Sequence, residues 1–279
     1  MKPVVLVLLG LTLAIQAVVA QTHAPLSGTF SSKGAKFEIA GGVAFTGKSN
    51  FDGQTPVILV AITNTTLNIE AIADFVDRKR AIEHLIKDDE TPVVYLEFTP
   101  QGKWRGVSYY FASGNGCAYC TTEATSTVQL AKGRLTGAID NKEKDRPFNV
   151  TLDIDVLGDD HGAALPADGG APGKVYLAYH AALVKRDAKA LGPTLSPGNL
   201  EVFTRAQKNN DLADYMSYLA EKHPLKSVKI AQGWSTADKA SLLIQGESAI
   251  GKVQGEVSLI NTKGVWGVDE ELTDLVIGQ

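Results

Sequence analysis

Cysteine and histidine are scarce in this 279-residue chain. Its two cysteines are too few for a small scaffold held together by disulfides. Its five histidines are scattered, and they leave little material for an enzyme with several metal ions. The sequence therefore predicts no metal site and no cofactor.

Positive charge is also in short supply, since 27 lysine and arginine residues stand against 31 aspartate and glutamate residues. The net charge of −4 argues against a nucleic-acid partner, because such a protein needs a basic patch to displace counterions from phosphates. Hydrophobic residues make up 44% of the chain and charged residues 21%. These ordinary globular values exclude disorder over most of the length.

The signatures of the common enzyme classes are missing. The chain has no G-x-S-x-G turn, no P-loop, no G-x-G-x-x-G, no H-E-x-x-H and no S-x-x-K. These absences argue against the usual hydrolase, nucleotide-binding and zinc-protease mechanisms. Unrelated folds can still build a catalytic triad from residues far apart in sequence, so the absences favour a non-enzyme without excluding catalysis.

The first 20 residues have the pattern of a secretory leader. Lys2 precedes an apolar run over Val4–Ala14, and small residues end the segment at Ala20. The run is short for a membrane span, and no basic cluster follows it. We therefore predict cleavage near Ala20, a secreted or periplasmic mature protein, and no membrane span in the mature chain.

Composition divides the mature chain into two parts. Residues 158–173 are dominated by Gly, Pro, Ala and Asp without an apolar period, which indicates an interdomain linker. We predict a β-rich domain over residues 21–157 and an α+β domain over residues 174–279. Asp159–His161 offers oxygen and imidazole groups, but within a linker we expect these side chains to be solvated.

The N-terminal part has mainly strand patterns. Phe148–Leu157 alternates apolar and polar residues, as a strand with one buried face does. A hairpin is indicated over Val93–Ala112, and the apolar run Pro56–Thr63 predicts a central strand. One helix is predicted over Asn68–Lys87, where apolar residues recur at helical spacing. Many strands with one helix predict a sandwich or an open barrel.

The C-terminal part has helical patterns first and strand patterns afterwards, an α+β order. The predicted helices cover Lys174–Leu191, Asn199–Gln207 and Asp211–Lys222. The predicted strands cover Ser227–Trp234, Lys239–Ile250, Lys252–Asn261 and Gly264–Asp269. The acidic run Asp269–Glu271 is expected to lie in solvent at the end of the last strand.

Segments near both ends of this part carry a resemblance. Tyr176–Tyr179 is followed by Leu183–Asp187, and Gly255–Ile260 is followed by Lys263–Glu270 with its G-V-W-G-V-D-E close. They resemble the first helix and the last two strands of the ketosteroid-isomerase-like, or nuclear-transport-factor-two-like, cone fold. The resemblance implies three helices on a bent antiparallel sheet around a conical pocket, and a homodimer formed through the sheets. The N-terminal part resembles no family.

The resemblance also implies a ligand pocket in the C-terminal domain. The residues expected to line it are Tyr176, Leu177, His180 and Trp266. In catalytic members of the superfamily, histidine, aspartate and tyrosine residues of the pocket move protons, which makes His180 the candidate general base. The simpler interpretation is an ordinary helical histidine, because one residue is not a catalytic constellation.

Cys117 and Cys120 form a C-x-x-C motif after a turn-rich stretch. A thioredoxin-type pair needs its first cysteine at the N-terminus of a helix, and no helical pattern follows here. The motif therefore predicts a structural disulfide in an oxidising compartment. A redox pair and half of a metal site stay open as alternatives.

These observations favour a non-catalytic binding protein. Its partner would be a small apolar or amphipathic ligand in the C-terminal pocket, or an envelope protein docked on the open face of the sheet. Two alternatives come from other classes. One is proton-transfer or lyase chemistry with His180 as base, and the other is redox or metal handling by Cys117 and Cys120.

Overall fold

The computed structural model describes residues 26–32, 35–86, 91–111, 116–120, 123–222 and 225–276. The predicted leader lies outside these residues, as do Lys87 and Ala112, the predicted ends of the N-terminal helix and hairpin. Among the described helices, none combines the length and the apolar character that crossing a membrane requires.

Strands dominate the N-terminal part, as the sequence predicts. They are β1 (Leu26–Ser32), β2 (Ala35–Glu38), β3 (Gly41–Lys48), β4 (Pro56–Thr63), β5 (Val93–Phe98), β6 (Trp104–Tyr110), β7 (Gly116–Cys120), β8 (Thr125–Ser126), β9 (Gln129–Ala131), β10 (Arg134–Asn141) and β11 (Phe148–Leu157). The strands over Pro56–Thr63 and Phe148–Leu157 match their predicted bounds.

Two short helices, α1 (Ile69–Ala73) and α2 (Arg78–Leu85), replace the single helix expected over 68–87. The break arises because Asp77 starts a new helix: its side chain accepts a hydrogen bond from the backbone N–H of Arg80, as an N-cap residue does. Asn68 caps α1 in the same way. The interruption separates α1 from α2, although the spacing of apolar residues in the sequence continues through both helices.

The first sheet curls into an open half-barrel. Its strand order is β2-β1-β11-β3-β4-β5-β6-β7, and β10 pairs with β11 and with the short β8 and β9. β11 is antiparallel to β1 and β10, but its last residues, Val156 and Leu157, pair in parallel with Ala44 and Phe45 of β3. This exchange of partners along one strand turns the sheet on itself, so the open-barrel alternative is confirmed.

β4 lies at the centre of this sheet and is buried on both faces. Ile58, Val60 and Ile62 point into the core of the half-barrel. The residues between them, such as Leu59, pack against α1 and α2 through Ile72 and other apolar side chains. A strand with two buried faces needs apolar residues at every position, which explains the continuous pattern in the sequence.

The C-terminal part has the predicted order of helices followed by strands. The helices are α3 (Gly170–Lys185), α4 (Ala188–Leu191), a 3-10 turn (Gly192–Thr194), α5 (Pro197–Lys208) and α6 (Leu212–Lys222). The strands are β12 (Ala163–Ala164), β13 (Leu225–Ser235), β14 (Lys239–Ser248), β15 (Lys252–Thr262) and β16 (Val265–Leu275). They form a second, separate antiparallel sheet in the order β12 to β16, so the α+β class is confirmed.

Residues 158–173 are more structured than a linker composition suggests. β12 pairs with the end of β13, and α3 begins at Gly170. Small residues make this course possible: Gly162 has a φ of +88°, and a Cβ there would lie 2.2 Å from the carbonyl oxygen of Ser235. The glycines therefore allow close approach to the second sheet rather than free movement.

Cys117 and Cys120 form the predicted disulfide, with Cα atoms 6.1 Å apart. Both lie on β7, the last strand in the path of the first sheet, which pairs with β6. A bond between residues three apart closes a small ring, and a small ring restricts the unfolded chain only slightly.

We predict that replacing both cysteines by alanine lowers the free energy of unfolding by no more than about 2 kcal/mol, from the entropy of so short a loop. Denaturant unfolding of the wild type and the double variant measures the difference, and an unchanged denaturant slope shows that the same surface unfolds. A loss above about 4 kcal/mol, the size expected of a 100-residue loop, would contradict this local role.

Candidate ligand-binding groove

The predicted pocket residues do not meet around either of the two cavities described in the structure. Tyr176 is fully buried in the core, whereas Leu177 is 40% exposed on the other side of α3. His180 places its Nε2 3.3 Å from the carbonyl oxygen of Leu225, and Trp266 packs against the core. None of the four lines either of the two cavities described below. The proposed base role of His180 thus lacks support from a nearby substrate site.

The acidic run of the last strand is wrongly predicted at Glu271. β16 continues to Leu275, and Glu271 is buried on the face that the helices cover. Burial raises the pKa of Tyr176 and Tyr179 well above the ordinary value, and the nearby carboxylate of Glu271 raises both further. Both phenols therefore stay neutral, and the cluster belongs to the core.

The opposite face of the second sheet carries rows of side chains that the strand register places across from one another. The first row consists of Trp234, Ser241, Ser258 and Glu270. The second row consists of Gln232, Leu243, Glu256 and Leu272. The third row consists of Lys229, Gln245, Gln254 and Asp274. We call this surface the open face.

Glu256 fastens the α1–α2 segment to the open face. Its carboxylate accepts hydrogen bonds from the backbone N–H groups of Val76, at 2.6 Å, and Asp77, at 2.8 Å. It also accepts one from the hydroxyl of Ser241. Glu256 is 0% exposed, and burial raises the pKa of its carboxyl although these bonds oppose the change. Two sequence-distant parts of the chain thus meet at one buried acid.

Apolar contacts and ion pairs extend this junction. Leu272 packs with Phe75, and Asp274 binds Arg80 Nε at 2.6 Å and His84 Nε2 at 2.8 Å. Partial burial raises the pKa of Asp274, but the bonds to the two side chains outweigh it and leave the pKa below its ordinary value. The α1–α2 segment therefore covers the β15–β16 half of the open face.

The uncovered half of the open face borders a cavity of about 1350 Å³. We call this cavity the intersheet groove. One wall is the β13–β15 surface, with Gln232, Trp234, Leu243, Gln245 and Gln254. The other wall is the β3–β4 hairpin with the first turn of α2, and residues 158–161 close one side.

Arg78 lies in the lining of the groove and holds the chain after β11 in place. Its guanidinium donates from Nη1 to the carbonyl oxygen of Leu157 at 3.0 Å and from Nη2 to that of Gly158. Nη1 also lies 3.8 Å from Asp159. Burial lowers the pKa of the guanidinium, while Asp159 and Glu256 oppose that change. The Asp159 side chain is exposed, as expected, whereas the backbone just before it is held by Arg78.

His161 also lines the groove, with its ring centroid 6.4 Å from that of Trp234. Burial and the charge of Arg78 lower the pKa of this histidine, whereas Asp159 and Asp160 oppose the change. A lowered pKa keeps the imidazole neutral at pH 7, able both to donate and to accept a hydrogen bond. In the described part of the chain no three His, Cys, Asp or Glu side chains are grouped to hold a metal ion.

The tip of the β3–β4 hairpin is held by a second buried acid. Glu97 is 1% exposed and accepts hydrogen bonds from the hydroxyl of Ser49 at 2.9 Å and the N–H of Asn50 at 3.3 Å. Arg105 Nε lies 3.3 Å from the same carboxylate. Because Ser49 and Asn50 line the groove, this bonding fixes the shape of its wall.

The sequence interpretation missed this groove. Its walls come from four separate segments, and no motif joins them. One signal was available: polar residues alternate through β14 and β15, with Ser241, Gln245, Gln254 and Glu256 on one face. The pattern indicates a second contact surface opposite the helices, but it does not say which segment covers that surface.

We predict that Glu256→Gln lowers the free energy of unfolding by roughly 2–4 kcal/mol, because an amide cannot accept all the bonds of the buried carboxylate. Amide hydrogen exchange at Val76 and Asp77 should accelerate as well. Glu247→Gln, at an exposed position of the neighbouring strand, is the matched control and should change stability by less than about 0.5 kcal/mol. Equal protection of both amides in Glu256→Gln and the wild type would contradict the fastening role.

A second prediction concerns pH and the hairpin tip. The hydroxyl of Thr55 and the N–H groups of Thr55 and Gln54 lower the pKa of Asp52 to about 2. This stabilisation is present above the ordinary pKa near 3.8 and is lost as the pH falls through about 2. A carboxyl NMR titration should show that midpoint, and Thr55→Val should move it upward. An unchanged midpoint in Thr55→Val would refute the assignment to the hydroxyl.

No protein-family model matches the chain, and no curated protein matches it in sequence.

Proposed function

We propose that this chain is a non-catalytic binding protein that holds an elongated amphipathic ligand in the intersheet groove. The observation that carries the proposal is the set of side chains on the β13–β15 wall. Gln232, Gln245 and Gln254 are exposed there, and none of their side-chain amides has a hydrogen-bond partner among the described residues. The partly buried indole of Trp234 lies beside them.

The size of the groove supports a ligand of several repeating units. Its volume of about 1350 Å³ exceeds the roughly 300–1,000 Å³ of ordinary small-molecule sites. A second cavity, of about 580 Å³, shares Gln245 and Gln254 with it and continues to Ser227 and Lys252. From Trp234 to Ser227 the strand rise gives a length of about 23 Å. An extended ligand fits this shape better than a compact one.

The walls of the groove are organised before any ligand arrives. Glu97 holds the hairpin tip, Glu256 holds the start of α2, and Arg78 holds the chain after β11. A site whose walls are already ordered loses less conformational entropy on binding, which favours affinity. This arrangement supports a dedicated binding surface.

The intersheet groove lies elsewhere than the conical pocket that the cone-fold resemblance implies. The interior of the C-terminal part is occupied by one cluster of buried side chains, which includes Tyr176, Leu183, Phe203 and Met216. The ligand is therefore proposed to bind the face of the sheet that lies opposite the helices. The two alternative functions gain no comparable support, because neither His180 nor the two cysteines line the groove. The proposed setting is outside the cytoplasm, as the leader predicts.

The tryptophan side chains provide a direct test. The chain has three tryptophans, so a ¹⁵N spectrum contains three indole signals, and Trp234→Phe assigns the one in the groove. We expect a mixed library of short oligosaccharides and peptides to shift the Trp234 signal, while Trp104, packed in the core of the half-barrel, stays unmoved.

Obstructing the groove gives the matched comparison. Gln245→Tyr fills part of the groove and should abolish the shift, whereas Gln207→Tyr, at an exposed position of α5, should leave it unchanged. If no component of the library moves the Trp234 signal, the proposed function is wrong.

A further inference from the structure

We infer that the ligand of the intersheet groove is an acidic oligosaccharide, a short chain of sugar rings that carry carboxylate groups. This inference rests on the proposed function and names its ligand class. It comes from three features of the groove: unpaired amides, one aromatic surface and unpaired lysines.

The amides match sugar hydroxyls. Each glutamine offers two N–H donors and one carbonyl acceptor, and each hydroxyl can both donate and accept. Gln245 and Gln254 lie directly opposite each other on β14 and β15, so their side chains are within about 5.5 Å at the Cβ atoms. Gln232 lies one row further along the face, opposite Leu243. Hydroxyls of one sugar chain can therefore bond to more than one of these amides at a time.

Trp234 supplies an apolar surface beside these glutamines, one row beyond Gln232 on the open face. A sugar ring has a face of C–H groups and an edge of hydroxyls, so it is amphipathic in the way the groove is. The C–H face can pack on the indole, which combines a large apolar body with a polar N–H. His161, beside the indole, adds a neutral group that both donates and accepts hydrogen bonds.

Unpaired lysines favour an acidic ligand. Lys48 lines the groove, and Lys229 and Lys252 line the cavity that continues it. All three are exposed, and in the described part of the chain none of them forms an ion pair. The acids of the same lining are Asp77, Asp159 and Glu247. The first two face Arg80 and Arg78, and Glu247 lies opposite Lys252 in the strand register without an ion pair to it.

The charge excess around the groove therefore opposes the net charge of the whole chain, which is −4. Local positive charge in a cleft concentrates anions there and discriminates against neutral ligands. Carboxylates on the sugar rings would meet Lys229 and Lys252 on the open face and Lys48 on the facing wall.

An acidic peptide would satisfy the lysines but not the rest of the surface. A common way to bind an extended peptide is to add it as a strand to a sheet edge, where main-chain hydrogen bonds provide the affinity. The groove wall is instead the face of β13–β15, where β14 and β15 are paired on both sides. Of these three strands, only β13 has an edge without a partner among the described strands, the outer edge before Trp234. A sugar chain needs no backbone edge, because side-chain amides and an aromatic surface provide its contacts.

The test titrates the whole mature protein with a panel of acidic hexasaccharides: oligogalacturonate, oligoguluronate and a hyaluronan hexamer. Maltohexaose is the neutral comparison and hexaglutamate the acidic peptide. We expect at least one acidic sugar to shift the Trp234 indole signal and to bind at least tenfold more tightly than both comparisons. Trp234→Ala and Gln245→Ala should each weaken that binding about tenfold or more, and Gln207→Ala should not.

The double variant Lys229→Ala with Lys252→Ala separates charge from shape. It should weaken binding of the acidic sugar severalfold and reduce the dependence of affinity on salt, because fewer counterions are then displaced. Binding of maltohexaose as tightly as the acidic sugars would overturn the role of charge. Binding of hexaglutamate as tightly would overturn the oligosaccharide assignment.

The outcomes also keep the two proposals apart. If a library component shifts the Trp234 signal but no acidic sugar of the panel does, the groove is a binding site and this inference is wrong. If nothing at all shifts that signal, the proposed function itself fails. Circular dichroism of every variant confirms that a loss of binding is not a loss of fold.

Discussion

The buried carboxylate of Glu256 is the interaction on which the rest of the arrangement depends. It joins the start of α2 to the middle of the second sheet through two backbone N–H groups, with Ser241 as its third donor. An acid without these partners would leave its carboxyl oxygens unpaired at 0% exposure, and a buried polar group without hydrogen bonds costs about 1–3 kcal/mol. The burial of Glu256 therefore depends on its three hydrogen bonds.

The groove follows from this junction. The α1–α2 segment covers only the β15–β16 half of the open face, through Leu272 and Asp274, and stops short of β13. β4 must keep the same segment on its other side, because Leu59 and its neighbours need apolar cover from Ile72 and Ile82. One short segment thus serves two sheets and leaves an ordered space between them, with fixed walls and with polar groups that remain unpaired.

The cone-fold resemblance predicts a ligand pocket between the helices and the second sheet, on the side of the sheet opposite to the intersheet groove. Tyr176 and Tyr179 are large enough to occupy the space between helices and sheet, and Glu271 accompanies them there. Helical periodicity identifies the face of α3 that turns inward, but it does not say whether the interior has room left for a ligand. That depends on side-chain volumes from α3, α5, α6 and four strands at once, and close packing leaves none of the predicted residues beside either of the two described cavities.

By itself, the sequence determined the elements whose patterns are local. The alternation in Phe148–Leu157, the apolar run Pro56–Thr63, the helix-then-strand order and the pairing of Cys117 with Cys120 all appear as predicted. Only the tertiary structure decided the rest. The docking of Val76 and Asp77 on Glu256, the burial of Glu271 and the bond from Arg78 to Gly158 depend on partners up to 180 residues away. The spacing of apolar residues shows which face of an element is buried. It does not show which other element covers that face, because this depends on long-range packing. The groove lies between elements that are far apart in sequence, so its walls could not be predicted from local patterns.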